Sequence, residues 1–264
     1  LCVGLAIFSN AIFINNVVEP VAVVSDAARR ISAGSYGILI DNHYRDELGE
    51  LVDNINDMSL KISQSEKIQQ EFVSSVSHEL RTPVAVILAE CDRARRKAET
   101  KEDFLASINV IEQQGNKMNT LIEQLLSLTR IQQGTEKYPL RVCDLSGFVD
   151  ACCDEFVPAD ERGMTLETDI EPGVAAAYNP SLLSRAMFNL MQNAYKYGRE
   201  GGKIRVSLCR ENGCAVISVK DDGPGIPKAE QEKIWQRFYR CDTSRAEGGT
   251  GLGLSLVREI ALVH

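Results

Sequence analysis

Hydrophobic and polar positions divide the chain into four stretches. Residues 1–18 are apolar apart from Ser9, Asn10, Asn15 and Asn16, and none carries a charge. That length reaches the lower limit for a membrane span. The run lacks the basic start and small-residue cleavage site of a signal peptide. The chain opens on Leu1, so the run reads as the tail of a transmembrane helix, with a buried core helix as the other reading. Arg29 and Arg30 follow it, which places the rest on the cytoplasmic side of the inner membrane.

Residues 19–65 read as helix, connector, helix. Val21, Val24, Ala28 and Ile31 mark one apolar stripe, Gly34, Gly37, Asp41 and Asn42 a connector. Leu48, Leu51, Ile55, Met58 and Ile62 then form a heptad seam. Continuing that seam would bury Ser65 and Gln69, yet the apolar stripe resumes at Ile68, Phe72, Val76 and Leu80. This phase shift is a stutter-like break and a candidate point of signal transfer.

Residues 66–134 predict two long helices. The first runs to about Lys97, where Arg93, Arg95, Arg96 and Lys97 suit a helix C-terminus. After a polar turn at Glu99 to Asp103, the residues Phe104, Ile108, Ile111, Gly115, Met118, Ile122, Leu125 and Thr129 step by fours and threes. One such hairpin leaves apolar surface uncovered, whereas two make a four-helix bundle, so a homodimer is expected. Residues 138–264 change to mixed α and β. Asp144 can cap a helix reaching about Asp160, Met164 to Ile170 alternates as a strand, and Pro180 opens a helix to about Lys196. Lys203 to Arg210 and Ala215 to Asp221 read as strands around an Asn212-Gly213 turn. The fold class is therefore multidomain, α followed by α+β.

Net charge of −8 argues against a nucleic-acid surface. The eight cysteines include no C-x-x-C pair, and the three histidines lie too far apart in sequence for an evident zinc set. Small buried thiols in a reducing compartment are expected instead.

Chemistry concentrates in two places. His78 lies two residues from Val76, about 200° around the helix, and so points away from the stripe toward water. Thr82 is one turn further on the same face, and Pro83 should bend the helix just beyond. An exposed imidazole can act as a nucleophile, although a surface histidine beside a kink would look the same in isolation. Four motifs follow downstream. Asn189, Asn193 and Lys196 share one helical face, where amide oxygens can ligate Mg²⁺ and a lysine can hold phosphate. Asp221-Asp222-Gly223-Pro224-Gly225 follows a strand, where a carboxylate can accept from an amino group and glycines let backbone approach a ring. Trp235 to Arg240 carries aromatic rings and two guanidiniums. Gly249-Thr250-Gly251-Leu252-Gly253-Leu254 opens a helix whose free N–H groups suit phosphate.

Ser77-His78-Glu79-Leu80-Arg81-Thr82-Pro83 resembles, residue for residue, the phosphoacceptor box of bacterial sensor histidine kinases. The resemblance implies that His78 takes the γ-phosphoryl of ATP, that Glu79 aids proton removal, and that Thr82 aids hydrolysis of a partner's acyl phosphate. Pro20 with Asp46-Glu47-Leu48-Gly49 resembles a HAMP linker, a parallel four-helix bundle in that family; a plain coiled-coil spacer also fits. In order, the four downstream motifs resemble the N, G1, F and G2 boxes of the ATP-binding α/β sandwich shared with gyrase-, Hsp90- and MutL-type ATPases. By that resemblance Asn193 holds Mg²⁺, Asp221 reads adenine, Tyr197 packs near the base, and Lys196 and Arg240 approach the phosphates. The pattern departs in three ways. The chain stops at His264 where the family continues with a hairpin, residues 240–249 are short, and Asn179-Pro180 stands where Asp-Pro is frequent.

The implied protein is a membrane-bound, dimeric histidine kinase that uses Mg-ATP to phosphorylate His78. It then passes the phosphoryl to an aspartate of a response-regulator receiver domain. A phosphatase-biased or scaffolding homologue is the rival reading, and a gyrase-like ATPase the third.

Overall fold

The computed structural model describes residues 3, 8, 10, 11, 13–97, 100–133, 138–156, 162–241 and 249–264. It comprises two bodies, residues 1–77 and 78–264.

In the first body a π-helical turn at Ile14–Val18 leads into α1, Glu19–Ser32. Pro20 sits in the first turn, where its missing N–H costs no hydrogen bond. Pro20, Val24, Ala27 and Ile31 are buried, so the inner face includes Ala27 rather than the expected Ala28, and Val21 is exposed. Among the described residues no helix is long and apolar enough to cross a membrane. Residues 1, 2, 4–7, 9 and 12 of the expected span lie outside the described residues.

The connector is tied to the next helix, α2 (Glu47–Lys97), by side-chain amides. Asn56 accepts from the Ile40 N–H and donates to the Ile40 carbonyl, both at 2.8 Å. Asn42 donates to the Gly49 carbonyl at 2.9 Å and to Asp53 at 2.8 Å. A Cβ on Gly49 would stand 2.5 Å from the Tyr44 carbonyl oxygen, so that close approach requires glycine. Val52 and Ser59, beside the expected seam, are buried, whereas Leu51 and Met58 are each 40% exposed. α2 continues without interruption through the expected stutter and through Pro83.

In the second body, α3 (Lys101–Gln133) opens on a capping box. Its Thr100 hydroxyl accepts from the Asp103 N–H, and the Asp103 carboxylate accepts from the Thr100 N–H. Phe104, Ile108 and Ile122 of the expected stripe are exposed in the single chain, while Ser107, Leu121 and Leu128 are buried.

The α/β part runs β1 (Arg141–Asp144), α4 (Leu145–Glu155), β2 (Thr165–Ile170), β3 (Ala175–Tyr178), α5 (Pro180–Tyr197), β4 (Lys203–Glu211), β5 (Cys214–Lys220) and α6 (Gly253–Val263). Asp144 caps α4 as expected, accepting from the Gly147 N–H. The helix ends at Glu155, and residues 157–160 of its expected extension lie outside the described residues. β1 pairs antiparallel with β3, two strands that the pattern did not predict. β4 lies between β2, parallel to it, and β5, antiparallel to it. The β4–β5 turn has positive φ at both Asn212 and Gly213, which supplies the twist a two-residue hairpin needs.

α4 and α5 cover the sheet with Val149, Cys152, Met187 and Met191 against Val206 and Leu208. Each fully buried side chain of this size contributes about 1.5–3 kcal/mol. Burial pushes the Cys153 thiol up to about 11, so it behaves as an apolar residue. None of the seven described cysteines is in a disulfide. A second cluster packs Leu128 and Ile131 of α3 against Leu182 and Ala186 of α5 and Leu256, Val257 and Ile260 of α6.

Candidate functional site

Near His78, among the described residues, α2 alone lines the groove. His78 and Thr82 are exposed and line one groove of about 460 Å³ with Arg81, Ala85, Val86 and Ala89. The small side chains at Ala85 and Ala89 leave room beside the imidazole. Glu79 is half-buried, one step around the helix. The Thr82 hydroxyl donates to the His78 carbonyl at 3.3 Å, a weak bond within the helix.

The downstream motifs converge around α5. Met187, Met191 and Ala194 face the core, so Asn189, Asn193 and Lys196, each two residues later, stand on the opposite side. The Lys196 ammonium is 3.0 Å from the Tyr197 hydroxyl and 4.7 Å from its ring centroid. The glycine run lies along the same helix. A Cβ on Gly249 would be 2.8 Å from Lys196 Nζ, and one on Gly253 would be 2.9 Å from Asn189 Oδ1. At Gly223 it would be 2.3 Å from the Tyr197 carbonyl oxygen and 2.8 Å from Asp221 Oδ1. Asp221 also accepts from the Gly223 N–H at 2.9 Å. Gly225 has φ of +74° and open space around it.

Gly251 rests on the backbone of Phe238, whose N–H donates to the Gly251 carbonyl at 3.0 Å. Phe238 itself is held at φ +60°, a costly conformation for a bulky side chain. Leu252 is fully buried, anchoring the loop, and as the N-cap of α6 it offers no side-chain hydrogen bond. Asn193, Arg240 and Thr250 are half-buried. Beyond Arg240, residues 242–248 lie outside the described residues.

The Asn189 amide oxygen could ligate a divalent cation. Asn189 donates its Nδ2 to the Arg185 carbonyl, which leaves Oδ1 facing the glycine run. Lys196 brings positive charge beside the same loop. The arrangement can hold a polyphosphate along backbone N–H groups and a lysine, with a carboxylate at the strand end for a polar ring edge.

The pattern missed two supporting residues. Arg162 donates to the Tyr195 and Lys196 carbonyls at 2.5 and 2.6 Å and to the Gly198 carbonyl at 2.9 Å, closing the C-terminus of α5. Asp222 accepts from the Arg199 and Lys203 N–H groups, both at 3.2 Å. The Arg199 N–H, more than any other group, holds its carboxyl below the ordinary value of 3.8. Its contribution to folding is therefore present above that value and is lost as pH falls through the depressed one. Both residues bond to partners too distant in sequence to produce a local pattern.

An exposed histidine beside a threonine on one helix and a glycine-lined polar site on the α/β part are features that phosphotransfer chemistry can use. The chain matches the HAMP domain over residues 12–64. It matches the His Kinase A (phospho-acceptor) domain over residues 68–134. Residues 178–264 match the histidine kinase-, DNA gyrase B- and HSP90-like ATPase family. It is 36% identical over 208 residues to the sensor histidine kinase RppB of Synechocystis sp., covering 77% of this chain and 46% of that protein. To the signal transduction histidine-protein kinase/phosphatase MprB of Mycobacterium sp. it is 31% identical over 254 residues, 93% of this chain and 48% of that one. The structure of the histidine kinase AdeS of Acinetobacter baumannii has the same fold, with a TM-score of 0.55 at 21% identity over 70% of this chain and 86% of that one. The chain belongs to the sensor histidine kinases of two-component systems. It spans about half the length of the curated relatives it matches.

Proposed function

We propose that this chain is the signalling core of a membrane-attached sensor histidine kinase. Residues 19–65 form a HAMP linker, 66–134 a dimerising phosphoacceptor hairpin and 138–264 the ATP-binding domain. The exposed side chains of Phe8, Phe13 and Val18 support attachment through residues 1–18. Exposed Phe104, Ile108 and Ile122 on α3 support pairing with a second copy.

The observation that carries the reading is the exposed His78, with Thr82 beside it, on the chain that also builds the nucleotide site. The unprotonated imidazole nitrogen attacks the γ-phosphorus of ATP. An N–P bond forms, the bond to the bridging oxygen breaks, and ADP leaves with the electron pair. Glu79 takes the proton from the other ring nitrogen. Asn189 and Asn193 offer amide oxygens to Mg²⁺, which neutralises phosphate charge when bound. Lys196 and the loop N–H groups orient the phosphates, and Asp221 accepts from the adenine amino group. An aspartate on a response regulator then receives the phosphoryl group in the groove around His78. The kinase/phosphatase name of the relative MprB and the position of Thr82 in that groove favour a second activity, hydrolysis of the regulator's acyl phosphate.

Incubation with γ-labelled ATP tests the reading. Acid-labile, base-stable phosphate is expected on the wild type and none on His78→Gln, with nucleotide affinity unchanged. Label retained by that variant rules out His78 as the acceptor. An unlabelled wild type that still dephosphorylates a regulator would favour the phosphatase-biased reading.

A further inference from the structure

Thr250 is the one residue of 249–254 whose side chain can hydrogen-bond, the others being glycine or leucine. Its hydroxyl donates to Gln124 Oε1 of α3 at 2.8 Å. Thr250 Oγ1 also accepts from the Leu252 N–H at 3.4 Å, so the pair is built into the loop backbone. Gln124 stands on the α3 face that docks the ATP-binding part of the chain. Four and seven residues on, Leu128 and Ile131 pack against α5 and α6. Ser127 bonds Arg185, and Gln132 bonds both Arg237 and Glu259. The docked face therefore extends to the glycine loop and ends on its only hydrogen-bonding side chain.

We infer that Gln124 is a positioning residue for the nucleotide loop, and that ATP and docking on α3 compete for the Thr250 hydroxyl. This rests on the nucleotide reading above. A hydroxyl has one proton to donate. A phosphate oxygen is a charged acceptor, and such hydrogen bonds are roughly twice as strong as neutral ones. A bound triphosphate draws Thr250 from Gln124 and leaves the half-buried amide oxygen without its donor. The coupling is reciprocal: docking lowers nucleotide affinity, and nucleotide loosens docking by the same factor.

The test is calorimetry on the full chain with Mg²⁺ and a non-hydrolysable ATP analogue. Gln124→Ala should bind the analogue roughly threefold to tenfold more tightly, the worth of one neutral hydrogen bond. Thr250→Ser, which keeps the hydroxyl, should still respond to Gln124→Ala. Thr250→Val, which lacks it, should not, giving a non-additive cycle. Without nucleotide, Gln124→Ala should also speed amide hydrogen exchange across residues 121–131. Unchanged or weaker binding in Gln124→Ala, an equal gain in the Val background, or unaltered exchange would overturn the inference. A wild type that gives no binding heat would instead overturn the nucleotide reading itself.

Discussion

His78 and the amide face of α5 are placed by the same device and held in opposite ways. In each helix the functional residue lies two positions after an apolar one, Val76 before His78 and Met187 and Met191 before Asn189 and Asn193, which turns it about 200° away. On α2, among the described residues, the imidazole stands in an open groove made by its own helix. On α5 the glycine run lies against Asn189 and Lys196, the strand-end loop at Gly223 against Tyr197, and the Arg162 guanidinium on the carbonyls at the helix end. The difference follows from what each site must meet. On the proposed function, a histidine that takes a phosphoryl group from ATP and passes it to a regulator needs access, whereas a nucleotide site needs several backbone segments held at fixed distances. Substitutions around α5 should therefore act through geometry, and those around His78 through chemistry alone.

The largest effect is expected at Gly251. An added Cβ would meet Phe238 backbone atoms at 2.7 and 2.8 Å, at a φ of +67° that alanine rarely adopts. Backbone cannot swing aside as a side-chain tip can, so the loop must move. Gly251→Ala should weaken binding of an ATP analogue by about a hundredfold, the upper end for strain of this kind. Affinity within threefold of wild type would show that the enclosure tolerates more freedom than its contacts imply.

Arg162 comes next. Its fork satisfies carbonyls that the end of α5 leaves open, and it lies 5.7 Å from the Tyr195 ring centroid. Arg162→Gln should lower stability by about 2–3 kcal/mol, as for loss of charge-assisted hydrogen bonds to partly buried acceptors. Arg162→Lys should recover only part of this, since an ammonium cannot fork. Denaturant midpoints of the three proteins decide it, and equal midpoints would make the cap ornamental.

The sequence was informative where a local period or turn produced the structure. α5, β4, β5 and the Asn212-Gly213 turn fall where their patterns put them. β1 and β3 were not legible. Each is four residues long, and Ala175-Ala176-Ala177 carries no strand preference; it is a strand because β1 pairs with it across more than thirty residues. The same holds for the site. The motifs located Asn189, Lys196, Gly223 and Gly253 on the correct elements, but their mutual contacts, and the roles of Arg162 and Gln124, depend on partners far away in sequence. On α2 and α3 the heptad reading marked apolar stripes, but the single chain buries positions beside them. Leu51, Met58 and Ile108 remain exposed while neighbouring Val52, Ser59 and Ser107 are buried.

The smallest structural effect, and the sharpest separation of two activities, is expected at Thr82. Among the described residues its hydroxyl bonds the His78 carbonyl alone, at 3.3 Å and exposed, so its loss costs little. Alanine also has better helix propensity than threonine, by a few tenths of a kcal/mol. Thr82→Ala should therefore keep the denaturation midpoint and keep autophosphorylation of His78 within a few-fold, because forward transfer needs the imidazole, a base and ATP. Hydrolysis of a regulator's acyl phosphate differs, since it needs a water oriented beside the same groove. A hydroxyl one turn from His78 can leave its weak helical bond to hold that water. Loss of such positioning should slow dephosphorylation about a hundredfold, as for removal of an acid–base or orienting group. The decay of phosphorylated regulator with wild-type or variant kinase measures it. Equal decay rates would reduce Thr82 to a residue that eases the helix past Pro83, and would leave the open groove serving the forward transfer alone.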